Sequence, residues 1–471
     1  MDEGHKYLQV ERYVRSAIES GVFQVGDKLP SIRSLCNKLN VSKNTVIRAY
    51  QELEAVGLVT AIARSGYHVQ QMPLPNLREP KQPSEVDLLS VSKSILTYPE
   101  YKERLPTGSA HPNIDFPVIK SLYAEIGRHS RLQSQMPSHY QLPPGNGNLI
   151  KQLLKISLDL GVPAKAQEIA VTHGAQQAIS LALRALTKPG DIVAVESPSY
   201  FGNLLLMEAL DLQVLEIPSC VRTGLDPNAL SEALAQWDVK AIIVTPNFVN
   251  PTGARMTLEK RLALLAVSRD IPIIEDDVFG SLSFDSGLPS LKQLDNQERV
   301  IYVNSLSKTL DSRLRIGWLI STRYQAQINK YLLSENMGSL NLMQSAVAEF
   351  LTTGKYRTHL SKIRRVYQHN QRRFHHMLSN ALNQHQALQG RFHLSQPEGS
   401  FITWLTLPEH VDSYNIYQQC KAEGISVFPG TMFGTQQQFS HCLRFCTANF
   451  GESRLWDKSL RQFAAIVVQQ C

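Results

Sequence analysis

The chain has 471 residues, with 48 Lys and Arg against 41 Asp and Glu (net charge +7) and 43% hydrophobic residues. A single core stops growing near ~250–300 residues, so more than one domain is expected, and the positive balance suits a nucleic-acid partner. No apolar run reaches the ~18–20 residues of a membrane span, and MDEGHKYLQVERY does not look like a signal peptide. Membrane and secreted classes are therefore excluded, and the six scattered cysteines are expected to be free thiols in a reducing cytoplasm. Cys442 and Cys446 lack the spacing and companions of a zinc site, so no metal is expected.

In chain order, Tyr7, Val10, Val14, Ala17 and Ile18 recur at helical spacing. VGDKLPSIRSLCNKLN then places a turn at Gly26, Pro30, and Ser31 as the N-cap of a short helix. In NVSKNTVIRAYQELEAVG, Ser42 caps a third helix, Val46, Tyr50 and Leu53 share one face, and Gly57 is the stop. LVTAIARSGYHVQ reads as two short strands turning at Ser65 and Gly66. Three helices and a hairpin make a winged helix-turn-helix, whose third helix enters the major groove by its N-terminal residues. Here those are Ser42, Lys43, Asn44 and Thr45, expected on the exposed side of the apolar stripe. Arg33 and Arg48 are expected within reach of phosphates or guanine edges, and Ser65 and Gly66 at the wing. KLPSIRSLCNKLNVSKNTVIRAYQELEAVGLV resembles the GntR-type DNA-binding domain, over residues 5–70, and the resemblance implies double-stranded operator DNA as partner. Ile47 departs from the pattern, standing where many relatives carry arginine.

This head is assigned to residues 1–71 and a linker to 72–105. The stretch 71–105 has five prolines and no glycine, so its first half should be extended, with a short helix over 95–105. From residue 106 to 471, short β-branched runs (EIAVT, DIVAVE, AIIVT, IPIIED, RVIYVN, GWLIS) alternate with helical segments. That pattern predicts an α/β domain with a mainly parallel sheet, whose ligands bind beyond the C-terminal strand ends. The residues just after each strand are therefore informative. HGAQQAI opens a helix on an anion cradle, SPSYFG presents Tyr200, and PNFVNPTG presents Asn250. Glu275, Asp276 and Asp277 end the fourth run, and Ser305, Ser307 and Lys308 come after the fifth. An anion cradle, an aromatic, an amide, a carboxylate and a lysine at one sheet edge are the set that pyridoxal phosphate needs: a Schiff-base amine, phosphate donors, a ring partner and an acid for the pyridine nitrogen.

NPTG and SLSKTLDSRLRIGW carry a resemblance to fold-type-I, aspartate-aminotransferase-like enzymes over residues 106–471. The resemblance implies pyridoxal 5′-phosphate on Lys308, Asp276 at the pyridine nitrogen, Asn250 on the ring hydroxyl and Tyr200 stacked on the ring. It implies Gly174, Ala175, Gln176, Ser305 and Arg315 on the phosphate, Tyr140 reaching the phosphate of a neighbouring subunit, and Arg444 clamping a substrate carboxylate. Phe279 stands where relatives usually have tyrosine, which removes one hydrogen bond to the ring oxygen. A GntR-type head joined to such a domain resembles the MocR group of bacterial transcription regulators. That resemblance implies a cytoplasmic homodimer, found at the nucleoid when bound to DNA, that senses the cofactor or a small amino compound through an aldimine at Lys308. A working aminotransferase is the alternative. Finally, residues 351–380 carry seven Lys and Arg and no acid. They are expected to form a long helix that either packs and pairs with acids elsewhere or offers DNA an accessory surface.

Overall fold

The computed structural model of the protein describes residues 3–19, 22–55, 58–62, 65–70, 82–88, 92, 95, 105–136, 140–338 and 341–471. The expected stop at Gly57 and most of the expected helix over 95–105 lie outside the described residues.

The head comprises α1 (Glu3–Glu19), α2 (Ile32–Leu39), α3 (Lys43–Ala55), β1 (Val59–Ile62) and β2 (Gly66–Val69). Val10, Val14, Leu35, Val46 and Leu53 are buried together, each contributing about 1.5–3 kcal/mol over an exposed position. Both expected caps form: Ser31 Oγ accepts from Ser34 N and Ser42 Oγ from Thr45 N, each at 3.2 Å. β1 and β2 are antiparallel, with Val59 opposite Val69. The wing is braced by the preceding loop, where Leu29 N donates to Tyr67 O at 2.8 Å and Val69 N to Asp27 O at 2.9 Å.

The large domain opens on β3 (Leu105–Pro106). Its eight-stranded sheet uses β4 (Ile169–Thr172), β5 (Ile192–Ser197), β6 (Gln213–Cys220), β7 (Gly224–Leu225), β8 (Val239–Val244), β9 (Ile273–Asp276), β10 (Val300–Ser305) and β11 (Gly317–Ile320), in the order β4-β11-β10-β9-β8-β5-β6-β7. β5, β6, β8, β9 and β10 pair in parallel; β11 is antiparallel to both neighbours, and β7 to β6. β4, β9, β10 and β11 are buried throughout, as expected of a sheet covered on both faces by helices. All six strands expected from the sequence form. β6 was not among them, because its glutamine, glutamate, proline and serine interrupt the apolar pattern.

A second sheet completes the fold: β12 (His393–Leu394), β13 (Ile402–Thr406), β15 (Phe428–Pro429) and β16 (Cys442–Cys446), antiparallel in the order β12-β13-β16-β15. β14 (Ile425–Ser426) pairs in parallel with β3, tying the start of the large domain to this smaller sheet. Part of the stretch between head and large domain is also tied down. Ser84 and Val214 exchange backbone hydrogen bonds on the outer edge of β6 at 3.0 and 2.9 Å, Val86 and Leu88 are buried, and Leu88 N donates to Glu208 Oε2 at 3.0 Å.

The basic run is the helix Lys355–Asn383, which buries Tyr356, Ile363, Tyr367, Phe374 and Leu378. Arg357 pairs with Asp159 at 2.7 Å and Arg373 with Glu452 at 2.9 Å, while Arg364 Nε donates to Ser281 O at 2.7 Å. The packed and paired reading of this helix is thus the one its contacts favour, although exposed pairs contribute at most about 1 kcal/mol each. No helix among the described residues is long and apolar enough to cross a membrane.

Candidate functional site

β4, β5, β8, β9 and β10 run in one direction, so their C-terminal ends share one edge of the sheet. After β4, Gly174 (φ +85) turns the chain into the helix Ala175–Leu186, leaving that helix's first N–H groups without a side-chain cap. Arg315 lies across this turn, its Nη2 donating to His173 O at 2.8 Å. The positive φ favours glycine here, and a Cβ would meet that Nη2 at 2.6 Å and push the guanidinium aside. Free helix N–H groups beside a guanidinium form an anion cradle. Gln176 contributes its N–H to this turn of helix, while its side-chain Nε2 donates to Gly202 O at 2.5 Å.

The three consecutive acids are separated by their neighbours. Glu275 accepts from Leu291 N at 2.8 Å and Lys292 N at 2.9 Å. Asp277 accepts from Tyr302 Oη at 2.6 Å and Asn247 Nδ2 at 2.7 Å. Among the described residues, Asp276 has only the Val278 N–H, at 3.2 Å. Burial pushes its carboxyl up to about 6, and nearby Lys308 opposes the shift. Two acids therefore brace the strand end, and the third keeps its acceptor capacity for a ligand.

Lys308 is half-buried, and the burial of its amine first, then the Arg444 charge, brings that amine down to about 8. Its Nζ donates to Ala110 O at 2.8 Å and lies 5.6 Å from the centre of the Phe279 ring. Phe279 packs edge-on against Phe401, so no phenol hydroxyl is presented there. Arg444, 2% exposed, projects from the middle of the small sheet and rests on Phe428 at 4.4 Å. It donates from Nη1 to Asn250 Oδ1 at 3.3 Å and from Nη2 to Gly108 O, whereas its buried Nε has no partner among the described residues. Tyr200 belongs to the same cluster: burial and Asp276 raise its hydroxyl, while Arg444 and Arg315 oppose them. Ser305 Oγ accepts from Ser307 N at 3.3 Å. Tyr140 lies outside the cluster and is 74% exposed.

Sequence reasoning missed the loop 107–111, whose carbonyls accept from Lys308 and Arg444. Its Thr-Gly-Ser-Ala-His sequence marks a turn, but backbone acceptors carry no side-chain signature.

In the head, Lys43, Asn44, Arg33 and Arg48 are exposed. Thr45 is a correction. It is only 8% exposed, and its hydroxyl meets Ser42 Oγ at 2.8 Å, because the first helical turn folds it back onto the cap. Arg48 lies over Tyr7 at 4.2 Å, held along α1 by a cation–π contact. Ser65 Oγ bonds His68 Nε2 at 2.8 Å, which fixes the wing turn beside Gly66. Lys43 is exposed at the start of α3, so Lys43→Ala is expected to weaken binding about equally across DNA sequences and to lower the salt slope by about one unit. A gel-shift series at several salt concentrations checks this, and unchanged affinity removes Lys43 from the interface.

Residues 112–455 match the family model described as aminotransferase class I and II, and residues 6–69 match the gntR family of bacterial regulatory proteins. HTH-type transcriptional regulator YjiR of Escherichia coli K12 is 32% identical, with 98% of each chain covered. HTH-type transcriptional regulator NorG of Staphylococcus aureus is 27% identical, covering 87% of this chain and 93% of its own. Among solved structures, LysN, the α-aminoadipate aminotransferase of Thermus thermophilus, superposes with a TM-score of 0.71 at 23% identity, covering 80% of this chain and 94% of its own. The aminotransferase class I and II family implies pyridoxal 5′-phosphate. The donor set suits that group: an anion cradle, one buried acid with spare acceptor capacity, and a buried amine made more nucleophilic by its surroundings. With a gntR-family head and an aminotransferase class I and II domain spanning nearly its whole length, the chain belongs to the MocR-type HTH transcriptional regulators.

Proposed function

We propose that the protein is a DNA-binding transcription regulator whose aminotransferase-like domain holds pyridoxal 5′-phosphate and responds to a small amino compound bearing a carboxylate. The observation that carries this reading is that exposed Lys43 and Asn44 at the start of a capped reading helix share one chain with the site around Lys308. An enzyme needs no such head. Lys308 would hold the cofactor, Asp276 would keep its ring nitrogen protonated, and Asn250 and Tyr200 would position the ring. Gly174, Ala175, Ser305 and Arg315 would bind its phosphate. Gln176 would support the cradle through Gly202, and Arg444 would take the effector's carboxylate. When bound, the cofactor supplies an electron-withdrawing ring to an attached amine. Exposed Tyr140 fits the role of serving a second copy's phosphate, and a homodimer would present two heads to two half-sites. Titrating the full-length protein with amino compounds, while following visible absorbance and operator binding together, tests this. A spectral response with no change in DNA binding overturns it.

The rival is a working aminotransferase, favoured by the completeness of the cofactor set. Because Phe279 leaves the site without a hydroxyl at that position, turnover with common α-amino acids is expected to fall below the ~1–10³ s⁻¹ range of ordinary enzymes. A steady-state assay giving a rate inside that range puts the rival first.

A further inference from the structure

We propose that a cleft between the helices Gly147–Asp159 and Lys355–Asn383 is a second binding site, for a small organic anion with an apolar body. The cleft has a volume of about 340 Å³, within the ~300–1,000 Å³ of small-molecule sites. None of the residues assigned to the cofactor or to the effector's carboxylate lines it. The proposal is therefore independent of the regulatory reading above.

Arg364 carries it. This arginine is half-buried in the wall of the cleft, and its Nε donates to Ser281 O at 2.7 Å, which fixes the plane of the guanidinium. Its two Nη groups have no hydrogen-bond or ion-pair partner among the described residues. Burial lowers its pKa, and Tyr356 opposes the shift; no carboxylate contributes. A guanidinium drawn partly out of water without an acceptor is costly, and its paired Nη donors match two oxygens of a phosphate or carboxylate. Lys155, on the opposite helix, supplies a second cation with no partner among the described residues. The acid of the lining, Asp159, is already taken by Arg357 at 2.7 Å. Two cations are thus left uncompensated, which suits an anion, and Ile156, Leu351 and Leu360 line the rest with apolar surface. Tyr356 also lines the cleft, and its hydroxyl donates to Thr309 Oγ1 at 3.0 Å, one residue after Lys308. The proposed anion site is thus a neighbour of the cofactor site without sharing its residues.

The test uses the full-length protein loaded with pyridoxal 5′-phosphate and freed of excess cofactor, so that the cradle at Gly174 is filled. Phenyl phosphate is the probe. Isothermal titration calorimetry is expected to show saturable binding that weakens with added salt. Inorganic phosphate, which lacks the ring, is expected to bind about ten-fold more weakly. A parallel titration with benzoate shows whether the cleft prefers a carboxylate or a phosphate; tighter binding of either upholds the site. Arg364→Gln is expected to weaken phenyl phosphate binding at least about ten-fold, the loss of hydrogen bonds to a charged group. Lys155→Glu, at an exposed position, exchanges one cation of the cleft for a competing carboxylate and is also expected to weaken binding about ten-fold. Should Arg364→Gln fail to fold, Lys155→Glu decides. Absence of binding by both phenyl phosphate and benzoate at about millimolar concentration overturns the site. So does binding that the folded variants leave unchanged, because the anion then sits elsewhere.

Discussion

Protein carrying Lys308→Ala is expected to lose the visible absorbance that the wild-type chain acquires with pyridoxal 5′-phosphate. Borohydride reduction of the wild type should leave the pyridoxyl label on the peptide containing Lys308 and on no other. The physical basis is the state of the amine. An exposed lysine is almost wholly protonated at neutral pH, but burial and the neighbouring Arg444 charge bring Lys308 down to about 8. An appreciable share is then the neutral nucleophile near pH 7. The rate of cofactor capture is expected to rise with pH and to level off above about 8, since only the free base attacks. A label found on another lysine, or a capture rate that falls with rising pH, removes Lys308 from this role.

The second large effect separates the three acids. Asp276→Ala is expected to weaken cofactor binding on the order of a hundred-fold or more, because it removes the buried charged partner of the ring nitrogen, which then loses both its hydrogen bond and its proton. Glu275→Gln and Asp277→Asn should instead lower thermal stability with little change in cofactor affinity. Their carboxylates are spent on Leu291 N, Lys292 N, Tyr302 Oη and Asn247 Nδ2. Spectral titration and thermal melts on the same samples distinguish these outcomes. Equal loss of cofactor affinity in all three variants would show that the acids act as one charged cluster.

The same acids mark what the sequence could convey. Lys308, Asn250, Tyr200 and the Gly174 turn were legible because each comes after a short β-branched run, and parallel strands place such positions along one edge. Which carboxylate is left with spare acceptor capacity was not legible from three adjacent acids, because it depends on residues distant in sequence, such as Asn247 and Tyr302. Strand direction was equally hidden: GWLIS looks like its neighbours, yet β11 runs against them. Thr45 misled because it is polar and lies in the first turn of a reading helix, where its hydroxyl instead completes the cap with Ser42. The loop over Lys308 and Arg444 escaped because it acts through carbonyl oxygens, which every residue has.

The attachment of Ser84 to the edge of β6 has a consequence for how far the reading head can work. Gln70 closes the described head, and Ser84 lies 14 residues further along the chain. At ~3.3–3.6 Å per residue, that span reaches at most about 50 Å. One helical turn of B-DNA rises about 34 Å, so a head seated on its half-site keeps the attachment point on its own large domain within about one and a half turns. Operators whose half-sites lie further apart than two such leashes and the body between them can span would have to curve to engage both heads of a dimer. The stiffness of the intervening DNA, and not only its base sequence, would then enter the affinity.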